Sequence, residues 1–246
     1  MLHFNENRGI QQGKSGSKIP LTFIQTFVLI DCMNDNNSTF TDTKQRILDA
    51  AEHLLAIKGF RATSLRAITG RAGVNLAAVN YHFGSKKALL EAVIKRRIQP
   101  LNRIRRKRLE EVRESARQKG KKPEVKAVLS AFIEPTLLFK ESNPDAKKFF
   151  IFIGRSFTDP DDTVREVFLR FIKPIFHLLF ETACEALPGQ PRDIVFWRLH
   201  FTIGALFHAM HVSGNIKMER LNMKTGIDAN SLIDLILPFV TAGMKA

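Results

Sequence analysis

Cysteine is scarce in this chain of 246 residues: Cys32 and Cys184 are the only two, and they lack metal-ligand spacing. A disulfide framework is excluded and a reducing compartment is expected, which makes the chain read as cytoplasmic. From Thr41 onward no run of alternating apolar residues reads as a strand, so the sequence predicts an all-α fold. No glycine-rich phosphate loop follows a strand, no His-Glu-x-x-His occurs, and no Ser or Cys sits in a nucleophile motif, so nothing points to an enzyme or a cofactor. No internal repeat is evident. The longest apolar stretch, Ile19–Met33, is too short to span a membrane as a helix. It follows Lys14 and Lys18 and so resembles a signal-peptide leader, but Leu29-Ile30-Asp31-Cys32 lacks the small residues of a lipoprotein cleavage site. The preferred reading takes Met33 as the natural start and residues 1–40 as a disordered or non-native extension.

What the chain does have is positive charge, and it is localised. The net charge is +14, and residues 41–120 carry nineteen Lys/Arg against seven Asp/Glu, for +12. Such an excess suits a polyanion such as DNA or an anionic membrane surface, because neutralising phosphates releases counterions. The plainer alternative is a solvated helix face.

Helical periodicity begins at Asp42, with Gln45 as a capping-box partner, and carries Ile47, Leu48, Ala51, Leu54 and Leu55 on one face to a stop at Gly59. A short helix follows from Ser64, another from near Asn75, and a long one from Ser85 that continues through Leu89, Leu90, Val93, Ile94, Ile98 and Leu101 into Arg103–Arg108. Pro100 is a candidate kink. Gln118–Pro123 is a polar break. Five further helical blocks are expected near 124–141, 144–157, 160–187, 191–213 and 229–244, rich in phenylalanine.

Three short helices with a Gly-containing turn between the second and third meet the requirements of a helix-turn-helix. Leu65, Ile68, Val74, Val79 and Phe83 can close a small core, and Gly73 permits the left-handed turn. The third helix presents Asn75, Ala77, Ala78 and Asn80, small or polar residues that let its backbone sit deep in a major groove. Asn pairs with adenine through two hydrogen bonds and Ala meets a thymine methyl. Tyr81, His82 and Lys86 suit phosphates, with Ser85 capping the next helix.

The run from Thr43 to Val93, above all Tyr81-His82-Phe83-Gly84-Ser85-Lys86, resembles the TetR family of bacterial repressors. The resemblance implies an N-terminal helix-turn-helix domain (41–90), a helical effector-binding and dimerisation domain (91–246), and a homodimer on double-stranded DNA bearing a palindromic operator, released by a small molecule. It places Ser64 and Arg66 near phosphates and a base edge, Asn75, Leu76, Ala77, Ala78 and Asn80 in the groove, and Tyr81, His82 and Lys86 on the backbone. Asn80 reads either a base or a phosphate. Leu76 either packs inward or touches DNA, Arg66 is either a DNA contact or a solvated residue, and Tyr81 and His82 either grip phosphate or cap the small core. The Arg103–Arg108 cluster, roughly 30 Å of helix beyond Ser85 by the helical rise, reads as a solvated or steering face.

The blocks at 191–213 and 229–244 resemble the pair that builds the family's dimer interface. Ile203, Gly204, Leu206, Phe207 and Met210 are expected on one face, and Leu232, Ile233, Leu235, Ile236, Phe239 and Val240 on the other. Phe132, Phe139, Phe149, Phe152 and Phe176 are candidates to line an apolar effector pocket, with plain core as the alternative. Arg155, Arg170, Lys173 and His208 are candidates for an anionic end. The Asn75–Tyr81 helix and Phe132-Ile133-Glu134-Pro135 resemble the fatty-acid-metabolism repressors of the family, which implies a fatty acid or acyl thioester effector. His208 and His211, three apart, make a weak metal pair without nearby carboxylates, and core or pocket lining is the preferred reading. A membrane-surface protein is the remaining alternative, motivated by Ile19–Met33 and the basic helix; no stable membrane association is expected.

Overall fold

Apolar residues spaced three and four apart fold into helices throughout, and the computed structural model describes residues 40–142, 144–157, 161–212 and 227–246. The order is α1 (Phe40–Ala62), α2 (Leu65–Ala72), α3 (Leu76–Phe83), α4 (Lys86–Gln118), α5 (Val125–Ser142), α6 (Pro144–Ser156), α7 (Thr163–Ala186), α8 (Arg192–Val212) and α9 (Ala229–Lys245). No strand occurs among the described residues, so the all-α expectation holds. The expectation of a non-native extension over residues 1–40 falls almost wholly outside the described residues.

The first helix opens earlier than its capping signal. Asp42 lies inside the first turn of α1 rather than at its cap, 4.0 Å from Arg46 one turn on. Gly59 breaks helical geometry, at φ 78 and ψ 174, as its sequence signal predicts. The expected core face of α1 is buried in full. The later blocks fall within three residues of their expected bounds, with the prolines inside them: Pro100, Pro135, Pro174 and Pro238 all lie within helices. Each proline costs its helix one N–H, and α4 nevertheless runs as one element from Lys86 to Gln118.

Two polar devices fix the small helices against the rest. Gly73 ends α2 at φ 63 and ψ 39, its N–H turned back to the Thr69 and Gly70 carbonyls. Arg46 of α1 holds this turn from outside, donating through Nη2 to the carbonyls of Ala72 (2.6 Å) and Gly73 (3.1 Å). A Cβ at position 73 would meet that Nη2 at 2.8 Å. Gly73→Ala is therefore expected to lower stability by about 1–3 kcal/mol, combining left-handed strain with a displaced Arg46. Gly73→Asn should cost less, and chemical denaturation of the two variants checks the order.

The second device joins α1 to α4. Arg96 bridges Asp49 (2.6 Å) and Glu52, while Arg97 Nε donates to the other Glu52 oxygen at 2.6 Å. The Glu52 side chain is buried, so it is the counter-charge for two largely buried guanidinium groups. Glu52→Ala removes the buried counter-charge that both guanidinium groups share and leaves Arg96 its more exposed pairing with Asp49, and a loss of about 3–5 kcal/mol is expected in equilibrium unfolding.

Behind these helices a continuous core joins α4 to α5, α7 and α9, and Thr39–Ala246 form one compact unit. The last turn of α5 ties down both C-terminal helices: Lys140 Nζ donates to the Met210 carbonyl at 2.6 Å, and Glu141 Oε2 accepts from the Ala229 N–H at 3.0 Å.

Candidate nucleic-acid interface and effector core

Three side-chain caps build the helix-turn-helix from local sequence alone. Ser64 accepts from Ala67 N (3.1 Å) at the start of α2, Asn75 from Ala78 N (2.9 Å) at the start of α3, and Ser85 from Ala88 N (3.1 Å) at the start of α4. Each cap satisfies one of the amide groups a helix start leaves without an internal partner. Asn75 therefore commits Oδ1 to its own helix and keeps its amide Nδ2 as a donor.

Val79 is fully buried and Ala78 packs partly against the core, which fixes the rotation of α3. Asn75, Leu76, Ala77, Asn80 and Tyr81 are exposed as a result, as are Ser64 and Arg66 on α2. Tyr81 is 77% exposed, which settles it outside the small core. Leu76 is exposed as well, so it does not pack inward. His82 is half-buried, edge-on to Tyr81 with ring centroids 5.2 Å apart. Ala78 is the groove candidate that the structure turns furthest inward.

Lys86 is held differently from its neighbours. Its ammonium lies 4.3 Å from the centre of the Phe60 ring and 3.5 Å from the Arg61 carbonyl, so it is half-buried at the α1–α4 junction. Burial lowers it below the ordinary lysine value, against the pull of Asp161. Lys86 is thus positioned at the helix start by the protein, not swung free on a long stem.

The effector candidates divide. Phe132, Phe139, Phe149 and Phe152 are buried together in the α5–α6 core, with Phe139 and Phe149 each edge-on to Phe150 at 6.3 and 5.7 Å. Phe176 is not with them. It is half-buried against α8, 6.1 Å from Phe196 and 5.2 Å from His200. Arg170 and Lys173 lie on the surface of α7, where Arg170 pairs with Glu91 at 3.1 Å, and His208 is exposed on α8. Arg170 and Lys173 do not line the phenylalanine core, because the buried stripe of α7 runs through Val164, Val167, Phe168, Ile175 and Leu179 instead. On α8 the buried positions are Val195, Leu199, Thr202, Leu206 and Met210 rather than His208. The side chains of Arg155 and His211 lie outside those described.

The cation in that core is one that sequence reasoning assigned to a solvated face. Arg105 is 4% exposed. Its Nη2 donates to Thr136 Oγ1 (2.6 Å) and its Nη1 to Asn102 Oδ1 (3.0 Å), its Cζ lies 4.1 Å over the Phe132 ring, and its buried Nε has no partner. Burial pushes it down to about 9. The signal was available: Arg105 stands four residues from both Leu101 and Leu109, each fully buried, and so occupies the apolar stripe of α4. Arg108 is also largely buried and pairs with Glu134 at 2.9 Å, whereas Arg106 and Lys107 are exposed as expected.

The apolar surface left over lies on the last two helices. Trp197 (56%), Phe201 (68%), Leu235 (61%) and Phe239 (69%) are exposed, and the Trp197 and Phe201 rings stack 6.3 Å apart. This corrects the choice of face: Leu206, Met210, Ile233, Ile236 and Val240 are buried within the chain, while Gly204, Leu235 and Phe239 remain outward. Among the described residues, no helix is long and apolar enough to cross a membrane.

Comparison with known proteins agrees with this architecture at both ends. Residues 47–93 match the family model described as bacterial regulatory proteins, tetR family, and residues 130–243 match the one described as tetracyclin repressor-like, C-terminal domain. The chain is a helix-turn-helix regulator in construction, and it belongs to the TetR family. The HTH-type transcriptional regulator YvkB of Bacillus subtilis is 44% identical over 52 residues, 21% of this chain and 28% of that protein. SrpR of Pseudomonas putida is 40% identical over 60 residues, 24% of this chain and again 28% of its own length. The chain thus matches less than a third of these relatives. The structure of the transcriptional regulator FadR from Bacillus subtilis, in complex with stearoyl-CoA, superposes with a TM-score of 0.57 at 16% identity, covering 81% of this chain and 98% of that one; at that identity the likeness is one of fold.

Proposed function

We propose that the chain is a transcriptional repressor in which residues 41–90 read an inverted-repeat operator and residues 91–246 dimerise and receive a small apolar effector that releases DNA. The observation that carries this reading is the exposed face of α3 from Asn75 to Asn80, where Asn75, Ala77 and Asn80 are small or polar and Leu76 is the one larger exposed side chain, framed by the capped starts of α2 and α4. Such a face admits the backbone to a major groove, where Arg66 and Asn80 have base edges in reach and Tyr81, His82 and Lys86 meet phosphate. Asn75, with one lone pair of Oδ1 held by its cap, offers Nδ2 as its free donor.

Dimerisation is supported by the stripe of Trp197, Phe201, Leu235 and Phe239, because a monomer gains nothing from leaving three aromatic rings and a leucine in water. A two-fold dimer places its two reading helices on half-sites of one palindrome. An apolar effector is supported by the buried phenylalanines of α5 and α6, and the family likeness to regulators such as FadR, crystallised with stearoyl-CoA, favours an acyl ligand. The route from that core to the reading head runs along α7, which is tied to the start of α4 by Lys87–Glu166 (3.9 Å) and Glu91–Arg170 (3.1 Å).

Selection of binding sites from a random duplex pool by the purified chain tests the reading. Enrichment of an inverted repeat is expected, with binding that weakens steeply as salt rises. A Tyr81→Ala/Lys86→Ala variant should bind the selected site at least about 10-fold more weakly, since each lost phosphate contact removes electrostatic affinity. Retention of full affinity by that variant counts against the assigned surface.

A further inference from the structure

The guanidinium of Arg105 is walled into the effector half of the chain with no opposite charge on it among the described residues. Its hydrogen-bond partners, Asn102 Oδ1 and Thr136 Oγ1, are neutral, its remaining contact is the face of Phe132, and its Nε–H is buried with nothing to accept from it. Surrounding residues are ordered to hold it there: Asn102 is itself anchored by donating to the Phe171 carbonyl at 2.9 Å, and Thr136 by donating to the Phe132 carbonyl at 2.8 Å. A buried cation with neutral partners is costly, and a purely structural role is served better by an apolar side chain of similar volume. The neighbouring Arg108 shows how this protein treats a largely buried guanidinium that has no other duty, pairing it with Glu134.

We propose that Arg105 is the anchor for an anionic headgroup, and that the effector is an apolar molecule ending in a free carboxylate. The inference rests on the effector-binding role proposed above. The unsatisfied Nε–H and an Nη–H lie on one edge of the guanidinium, the fork that a carboxylate accepts from through both oxygens. The apolar body is proposed to insert along the buried α5 stripe of Phe132, Thr136 and Phe139, about 10 Å long by the helical rise, where Phe139 meets the Phe150 ring at the far end. A free carboxylate suits this site better than a thioester, because a thioester carbonyl is uncharged and leaves the Arg105 charge uncompensated. It also offers a path outward. A carboxylate that draws Arg105 from Asn102 loosens the Asn102–Phe171 link, one residue from the Arg170–Glu91 bridge at the base of the reading head.

Isothermal titration of the full chain with straight-chain carboxylates from octanoate to palmitate, each beside its primary amide and its coenzyme A thioester, tests this. At least one carboxylate is expected to bind about 10–100-fold more tightly than its amide, the span of a hydrogen bond to a charged group. Arg105→Met should abolish that preference without lowering the melting temperature of the ligand-free protein, and Arg105→Lys should keep part of it. Equal binding of carboxylate and amide by the native chain overturns the proposal. So does a carboxylate preference that survives in Arg105→Met, or an Arg105-dependent preference for the thioester. If Arg105→Met fails to fold and Arg105→Lys retains the full preference, Arg105 is structural and the proposal falls. Absence of binding by the whole series also overturns it. Sequence-specific DNA binding is measured separately without ligand, so either idea can fail alone.

Discussion

Ala77→Glu is expected to weaken operator binding by at least about 100-fold while leaving the fold intact. Ala77 is exposed at the centre of the α3 face, and α3 carries no acidic residue. A glutamate there sets a carboxylate against the groove wall, adding repulsion from phosphates and the desolvation of an unpaired charge. A single wrong contact at a base edge costs about 1–3 kcal/mol, and the charge raises this toward or beyond the upper end. Because the side chain touches no core residue, the melting temperature should stay within about 1–2 °C, a surface-scale change. Fluorescence anisotropy on the selected duplex, with thermal unfolding in parallel, separates the two effects. Unchanged affinity in a folded Ala77→Glu protein would remove α3 from the interface.

Phe201→Glu combined with Phe239→Glu is expected to convert the protein to monomers, with operator affinity lost at the same time. Both residues are more than two-thirds exposed, so the monomer fold does not depend on them. Aromatic anchors at the centre of an interface each account for about 2–4 kcal/mol when removed, and burying two carboxylates in their place adds a desolvation cost. A dimer that holds two half-sites loses the second binding event when it dissociates, and with it the gain from linkage. Sedimentation velocity reports the mass and anisotropy the affinity. A dimer that persists in the double variant, with unaltered operator binding, would move the interface elsewhere.

The helix-turn-helix was legible because its structure is set locally. Ser64, Asn75 and Ser85 each cap the helix they precede, Gly73 takes the left-handed turn, and Val79 marks the buried side of α3. None of these depends on distant chain. The clamp of Arg46 on that turn and the Glu52 cluster were not legible, since both join residues more than twenty-five apart. Arg105 was missed because its neighbours Arg103, Arg106 and Lys107 make the stretch read as a solvated face, although its own position on the Leu101–Leu109 stripe pointed inward. On α8 the difficulty is different. The helix carries apolar residues around most of its circumference, among them Trp197, Leu199, Phe201 and Leu206, and periodicity cannot choose which face meets its own core and which meets a partner. Packing decides that: Leu199 and Leu206 are buried, and Trp197 and Phe201 are left outward.

Residues 41–90 are proposed to recognise a specific duplex as part of a dimer. Footprinting of the purified chain on its selected operator tests it most directly. Protection of two symmetric half-sites centred about one helical turn apart, or a multiple of it, is predicted, lost on a duplex of the same composition with scrambled half-sites. Uniform protection of both duplexes, with no preference between them, would contradict it.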